Sequence, residues 1–480
     1  MFTQTDLYSD VSSGARIVVL AGAILVLSTL IGSVADAQGG PPVRLPDLEA
    51  QAIPARNLLE QYVREATREN LALAGTRAAE RRAIAATREA RGRLLPSLGI
   101  NARYSEYSGT INIGDFINPA YAALNGLIGQ PRFPTDIDAT LPQRQETRLE
   151  LVQPLFVPAL RAASSAAGVQ RDMAGQAVRS SVRTLTANVQ QAWLAFATGQ
   201  RVVETLQSAR TVLDENLRVS ERLVSAGQAT PDVVLRARAE RSDILQQIAD
   251  AERQRDAARR ALNSLRNRDA DAPVALADDS TLATGSEGSR DELETHAIAH
   301  REELRQAAGY VQLADAQRRI VQGAFLPTVA LSASYGVQGE RYRFDRQSDV
   351  ALASLVFSWN MFNGGQDVAR REQAGFARDE ALARAADAER MVRTDVRNAY
   401  DAVRVARVAV TAAHDRLASA ERAFALVERR YANGLATQVD FLSARAAFTA
   451  AALNDVITRY GLAARAVDLE RAAATRSLDK

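Results

Sequence analysis

The chain has 480 residues, 47 % apolar and 24 % charged, with a formal net charge of +2. That is the balance of a folded chain with material for a core, and it gives no sign of a nucleic-acid partner. There is no cysteine, which excludes disulfides, thiol catalysis, cysteine-type zinc sites and a lipid-bearing N-terminal cysteine.

At the N-terminus Arg16 precedes the apolar run Ile17 to Ile31, and Ala35-Asp36-Ala37 follows. This pattern predicts a secretory signal over residues 1–37, the run being short for a membrane span. Residues 38–56 carry Pro41, Pro42, Pro46 and Pro54 and read as an extended lead-in. A first structural repeat is expected over 57–268. It opens with an alanine- and arginine-rich helix that ends near Leu94-Leu95-Pro96, because proline closes what precedes it.

After Pro96 the period changes from helical to twofold: Leu98, Ile100, Ala102 and Tyr104 alternate with polar or small residues. This predicts a strand near 97–108, and a second is expected near 143–155, where Thr147, Leu149 and Leu151 oppose Arg148, Glu150 and Val152. Gly109 to Pro142, between them, reads as a long exposed loop. From 159 to 226 there is no proline, and apolar residues recur every three or four positions, as in Val182, Leu185, Val189, Trp193 and Phe196. A helix of that length spans roughly 100 Å and must lie along similar neighbours, as in a coiled coil. A return helix then runs to 268, and the acidic, breaker-rich segment 269–290 reads as a linker.

From 291 to 473 the order of elements repeats: a helix closed by Phe325-Leu326-Pro327, strands near 327–340 and 347–362, a long helix over 366–433 and a return helix, with 474–480 as a tail. The duplication is explicit around two glycines. Glu221–Ala239 and Glu428–Ala446 are identical at nine of nineteen positions without a gap, among them Gly227/Gly434, Thr230/Thr437 and Arg238/Arg445. Each glycine is expected to reverse a helix through the left-handed region. Thr230 and Thr437, with Asp232 and Asp440 close behind, are expected to cap the returning helices.

Four strands with one apolar face have the length and alternation of a tilted bilayer-spanning strand, although a soluble sheet has the same alternation. In lipid, four strands would leave two open edges, so closure needs several copies. Two copies give eight strands and a filled interior, three give twelve and room for a lumen.

Several motifs in fixed order carry a family likeness: Leu94-Leu95-Pro96-Ser97-Leu98, its counterpart Phe325-Leu326-Pro327-Thr328-Val329, Gln153-Pro154-Leu155-Phe156, Trp359-Asn360-Met361-Phe362-Asn363-Gly364-Gly365, His300-Arg301-Glu302-Glu303-Leu304 and the two glycine turns. On these the chain resembles the TolC-like outer-membrane efflux proteins. The resemblance implies a mainly helical fold with a transmembrane β part: a homotrimer whose four strands per chain form a twelve-stranded barrel in outer-membrane lipid, continued by a helical tunnel through the periplasm. It implies an exit duct for a tripartite efflux or type I secretion system, partnered by a periplasmic adaptor and an inner-membrane pump or transporter. The adaptor-docking tip would comprise Gly227, Ala229, Thr230, Gly434, Leu435, Ala436 and Thr437, and the entrance or gate Asp440, Tyr431, Ser443 and Asp232. Ser443 stands where the family has a second acidic residue, and Ala436 where its best-known member has an arginine. Three copies of Asp440 around a narrow mouth would concentrate cations.

Enzymatic function has no motif behind it: there is no Walker-type loop, no dinucleotide-binding fingerprint and no nucleophile elbow. No cofactor or metal is expected. His296 and His300 have i,i+4 spacing, but Ala297 follows His296 where a hydrolytic zinc motif needs glutamate, and the pair reads as a solvated helix face. Trp193 and Tyr431 read first as packing residues. Two rival functions are an exported periplasmic adaptor, which would carry one helical hairpin rather than two, and a structural coiled-coil protein.

Overall fold

The computed structural model describes residues 54–478 except 107–110, 139, 142–143, 283–284, 286–287 and 340–347. All of these fall in one unit, Ala52–Lys480; the expected signal segment and most of the lead-in lie outside the described residues. In chain order the elements are α1 (Ala55–Glu69), α2 (Leu71–Gly92), β1 (Ser97–Tyr104), β2 (Ile111–Asn112), α3 (Gly114–Ile128), β3 (Thr140–Leu141), β4 (Gln145–Phe156), α4 (Pro158–Ser225) and α5 (Asp232–Leu265). A 3-10 turn at Asp279–Thr281 leads to α6 (Arg290–His300), α7 (Glu302–Gly323), β5 (Thr328–Gly339), β6 (Asp349–Ser358), α8 (Gln366–Ala432) and α9 (Gln438–Ala473).

The fold is mostly helical, with α4 and α8 of 68 and 67 residues as its two long members. Near the sheet α4 packs on α2 and α7; farther along it packs on α5 and α9. Small residues let these helices approach. A side chain at Gly309 would sit 2.5 Å from Met173, and one at Gly199 would sit 2.9 Å from the backbone of Arg255. Three apolar clusters follow the length of the bundle. One gathers Tyr62, Trp193 and Tyr460, a second Leu213, Ile244, Phe424 and Phe441, and a third Val392, Val396 and Leu469. Trp193 is fully buried, and its indole N–H donates to the Ala275 carbonyl at 3.1 Å, so it is a packing residue that also holds the linker.

Two helix breaks were invisible in the sequence. The run expected as one helix before Pro96 divides at Asn70, and its counterpart before Pro327 divides at Arg301; both residues are extended, with ψ of 123° and 126°. At the first break the Asn70 side chain accepts from Leu73 N at 2.9 Å and donates to the carbonyl of Leu265, the last residue of α5, at 2.9 Å. At the second the Arg301 guanidinium donates to the Ala472 carbonyl near the end of α9 at 3.1 Å. Each return helix thus ends against the start of another helix, and the side chain at the break satisfies one of its terminal carbonyls.

The four long strands form one antiparallel sheet in the order β1-β4-β5-β6, leaving β1 and β6 as its edges. Register keeps the two faces distinct. Ile100, Leu149, Tyr335 and Ala351 line up across one face, and Leu98, Leu151, Ala333 and Ala353 beside them. The opposite face carries Asn101, Arg103, Glu146, Arg148 and Glu150, tied by Asn101–Glu150 at 2.8 Å, Arg103–Glu146 at 2.7 Å and Arg148–Glu146 at 2.8 Å. Opposed charges and an apolar reverse face are the pattern of a strand between water and lipid.

The excursion between β1 and β4 is not the plain loop its composition suggested: α3 forms within it despite Pro119. Tertiary bonds override the weak propensity here. Asn118 exchanges two hydrogen bonds with the backbone of Ile137, and Asn125 bonds the backbone of Arg132 and Phe133.

Candidate functional site

The two glycine turns close their helices in the same way. Gly227 and Gly434 have φ of +71° and +70°. At the first turn Gln228 N donates to Leu223 O and Gly227 N to Val224 O; at the second, Leu435 N donates to Arg430 O and Gly434 N to Tyr431 O, all within 2.8–3.0 Å. This paired bonding satisfies the last carbonyls of α4 and α8 and needs a left-handed residue at the bend.

The returns differ. Thr437 caps α9 in a reciprocal box: Asp440 N donates to the Thr437 hydroxyl at 3.1 Å, and Thr437 N donates back to the Asp440 carboxylate at 3.0 Å. The Thr437 hydroxyl also donates to that carboxylate at 2.7 Å, and these bonds, with Arg430 nearby, hold the Asp440 carboxyl below the usual aspartate range. Thr230 does not perform this role for α5. There the cap position is Pro231, with no side-chain cap bond, and the Thr230 hydroxyl donates to Asp232. The expectation of matched threonine caps is thus corrected: Pro231 replaces Gln438 of the second copy and shifts the helix start by one position.

Tyr431 packs inward, its ring stacked on Phe441 at 5.0 Å beside Phe424. Asp440, Ser443 and Asp232 are exposed, as are Thr230 and Leu435, while Ala229 and Ala436 are half-buried.

The structure brings the two turns together through residues that sequence reasoning missed. Gln438, buried at the start of α9, donates to the Val233 carbonyl on α5 at 2.9 Å and to the Ser220 hydroxyl on α4 at 3.3 Å, with Asn216 at 3.5 Å. About two helix turns farther on, Arg445 reaches Glu240 of α5 at 2.6 Å. Burial draws the Arg445 guanidinium below the usual arginine range, against the opposing pull of Glu240 and Asp243. Its repeat partner Arg238 pairs instead with Glu221 inside its own hairpin, at 2.9 Å. The identity of Arg238 and Arg445 is visible in the sequence; their different partners are not.

The family model described as outer membrane efflux protein matches residues 62–268 and 293–475. No curated protein matches the sequence. Among solved structures, a membrane protein from Pseudomonas aeruginosa is 19% identical with a TM-score of 0.72, covering 91% of this chain and 99% of that one. The outer membrane protein VceC from Vibrio cholerae is 19% identical with a TM-score of 0.72, covering 87% and 96%. The open state of the Neisseria gonorrhoeae MtrE outer membrane channel is 20% identical with a TM-score of 0.70, covering 88% and 89%. At these identities the likeness is one of fold.

Proposed function

Because this chain belongs to the outer membrane efflux protein family, we propose that it is the outer-membrane exit duct of a tripartite efflux or type I secretion system. Three copies join edge to edge, β6 of one protomer pairing with β1 of the next, into a twelve-stranded barrel. The helices continue the barrel as a tunnel into the periplasm. The observation that carries this reading is the sheet itself, with unpaired edges at β1 and β6, one apolar face and one charged face. Backbone groups at such edges cannot remain unsatisfied in lipid, and closing a ring of copies satisfies them.

The glycine turns form the far tip, where an adaptor docks on Gly227, Ala229, Thr230 and Gly434 to Thr437. Asp440 and Ser443, exposed three residues apart on α9, together with Asp232, face the entrance, and Tyr431 supports it from behind. Transport through the duct is passive, its energy coming from an inner-membrane pump. Detergent-purified protein tested in a planar lipid film decides the matter: a heat-resistant trimer giving discrete conductance steps is expected. A monomer that dissolves without detergent and carries no current would refute the reading.

A further inference from the structure

The helices that join the sheet hold arginines that no carboxylate answers. Arg88 and Arg91 on α2, Arg161 on α4, Arg318 and Arg319 on α7 and Arg371 on α8 lie within five residues of the sheet-side ends of their helices, about 8 Å along the axis at most. Among the described residues none of the six side chains has an ion-pair or hydrogen-bond partner. Nearby Arg93 and Arg370, by contrast, are paired with Glu89 and Asp367. Five of the six are exposed and Arg318 is half-buried.

Chirality places the six on one side. Seen from the apolar face of the sheet with the helices below, β5 rises, and an L-residue whose side chain points away from the viewer bonds to the viewer's left. Gln338 is such a residue, level with Glu146, and it donates to the Ser348 carbonyl at 3.0 Å, so β6 lies left of β5. Ser105 and Arg144 place β4 left of β1 in the same way, and the helices keep this order, α2-α4-α7-α8. Right-handed turning of about 100° per residue then fixes each side chain. With Thr87 bonded to α4, Arg88 and Arg91 turn toward the viewer; with Met173 against Gly309, so do Arg161 and Arg319. Arg371 stands two turns from Arg378, whose partner Asp315 is on that side of α7. Arg318 and Arg371 open on one groove of about 400 Å3, shared with Arg378, Glu372 and Asp379. The six arginines thus continue the apolar face of the sheet, and Leu95, Trp359 and Phe362 are exposed in the joints between.

We propose that this collar binds the phosphates of anionic phospholipid head groups, in the leaflet on the helix side of the sheet. The inference rests on the sheet spanning the membrane. Head groups occupy about 5–8 Å beyond the hydrocarbon on each side, the depth over which the six side chains emerge. A planar guanidinium grips phosphate through two parallel N–H bonds. Aromatic side chains favour that interface, and clustered basic residues beside it select anionic lipid.

The test uses full-length protein purified in detergent and mixed with phosphatidylglycerol or phosphatidylcholine, the lipid retained per chain being counted by mass spectrometry. Phosphatidylglycerol should be retained preferentially, and Arg318→Gln or Arg371→Gln should each weaken its binding about fivefold. Arg93→Gln should change nothing, and inorganic phosphate should displace the lipid no better than chloride at equal ionic strength. Equal retention of the two lipids, or an undiminished preference in both variants, would overturn the proposal. So would displacement specific to phosphate, which assigns the arginines to a free anion. Conductance and the heat-resistant oligomer are followed in the same preparations and should persist in the variants. Their absence from the parent would refute the duct, and the collar with it.

Discussion

At Gly336 a single methyl group decides whether two strands can pair. A Cβ there would fall 2.0 Å from the Thr147 carbonyl oxygen and 2.6 Å from the Arg148 Cα, so the obstacle is backbone with nowhere to go. Gly336→Ala is expected to destabilise the β4–β5 pairing by at least about 1–3 kcal/mol, read as a lower temperature for loss of heat-resistant oligomer; an unchanged temperature would contradict the register. The carboxylate of Asp440 gives a second test at this scale. Its folded pKa is depressed by the Thr437 hydroxyl and N–H and by Arg430. Its contribution is therefore complete above the unfolded value of about 3.9 and is lost as the pH falls through the lower folded value. Amide exchange at Thr437 and Asp440, corrected for intrinsic rate, should be flat from about pH 5 to 7 and lose protection only below about pH 4. Protection that fades already near neutrality would contradict the cap.

Helices and strands were legible to unequal degrees, and the reason is where their determinants lie. The absence of proline between 159 and 226, like the twofold alternation from Leu98 to Tyr104, is local information, and both elements appear where it points. The breaks at Asn70 and Arg301 are not local: each sits among helix-forming neighbours and exists because the end of another helix, distant in sequence, abuts it. Within the stretch read as a loop, α3 is held by Asn118 and Asn125, which bond to the backbone of the segment folding back over the helix. The tip was legible in its turns, through Gly227 and Gly434. Its cross-connection was not, because nothing in the pattern around Gln438 or Arg445 names a partner about 205 positions away. The Asn70 break can be dissected by chemistry. Asn70→Ala should cost about 1 kcal/mol for the lost cap plus the bond to Leu265. Asn70→Asp keeps the acceptor for Leu73 but has no N–H for that carbonyl, so its melting temperature should fall between those of Asn70→Ala and the parent. A value for Asn70→Asp equal to the parent's would show that the bond to Leu265 contributes nothing.

Across the whole molecule the duplication gives two versions of one half, and the halves are unequal where it counts mechanically. Arg238 closes a loop of charge within the first hairpin; Arg445, at the twin position, is spent on the neighbouring hairpin through Glu240. Within one chain the two hairpins are therefore tied near the tip by the second repeat reaching across to the first, through Arg445 to Glu240 and Gln438 to Val233 and Ser220. Exchanging the charges in Arg445→Glu with Glu240→Arg should restore part of the melting temperature that either single change removes, since the partners stay opposed. The same exchange at Arg238 and Glu221 should alter one hairpin and leave the fit between hairpins as it was. Ancestral twins have thus diverged into one arm that clasps itself and one that clasps its neighbour.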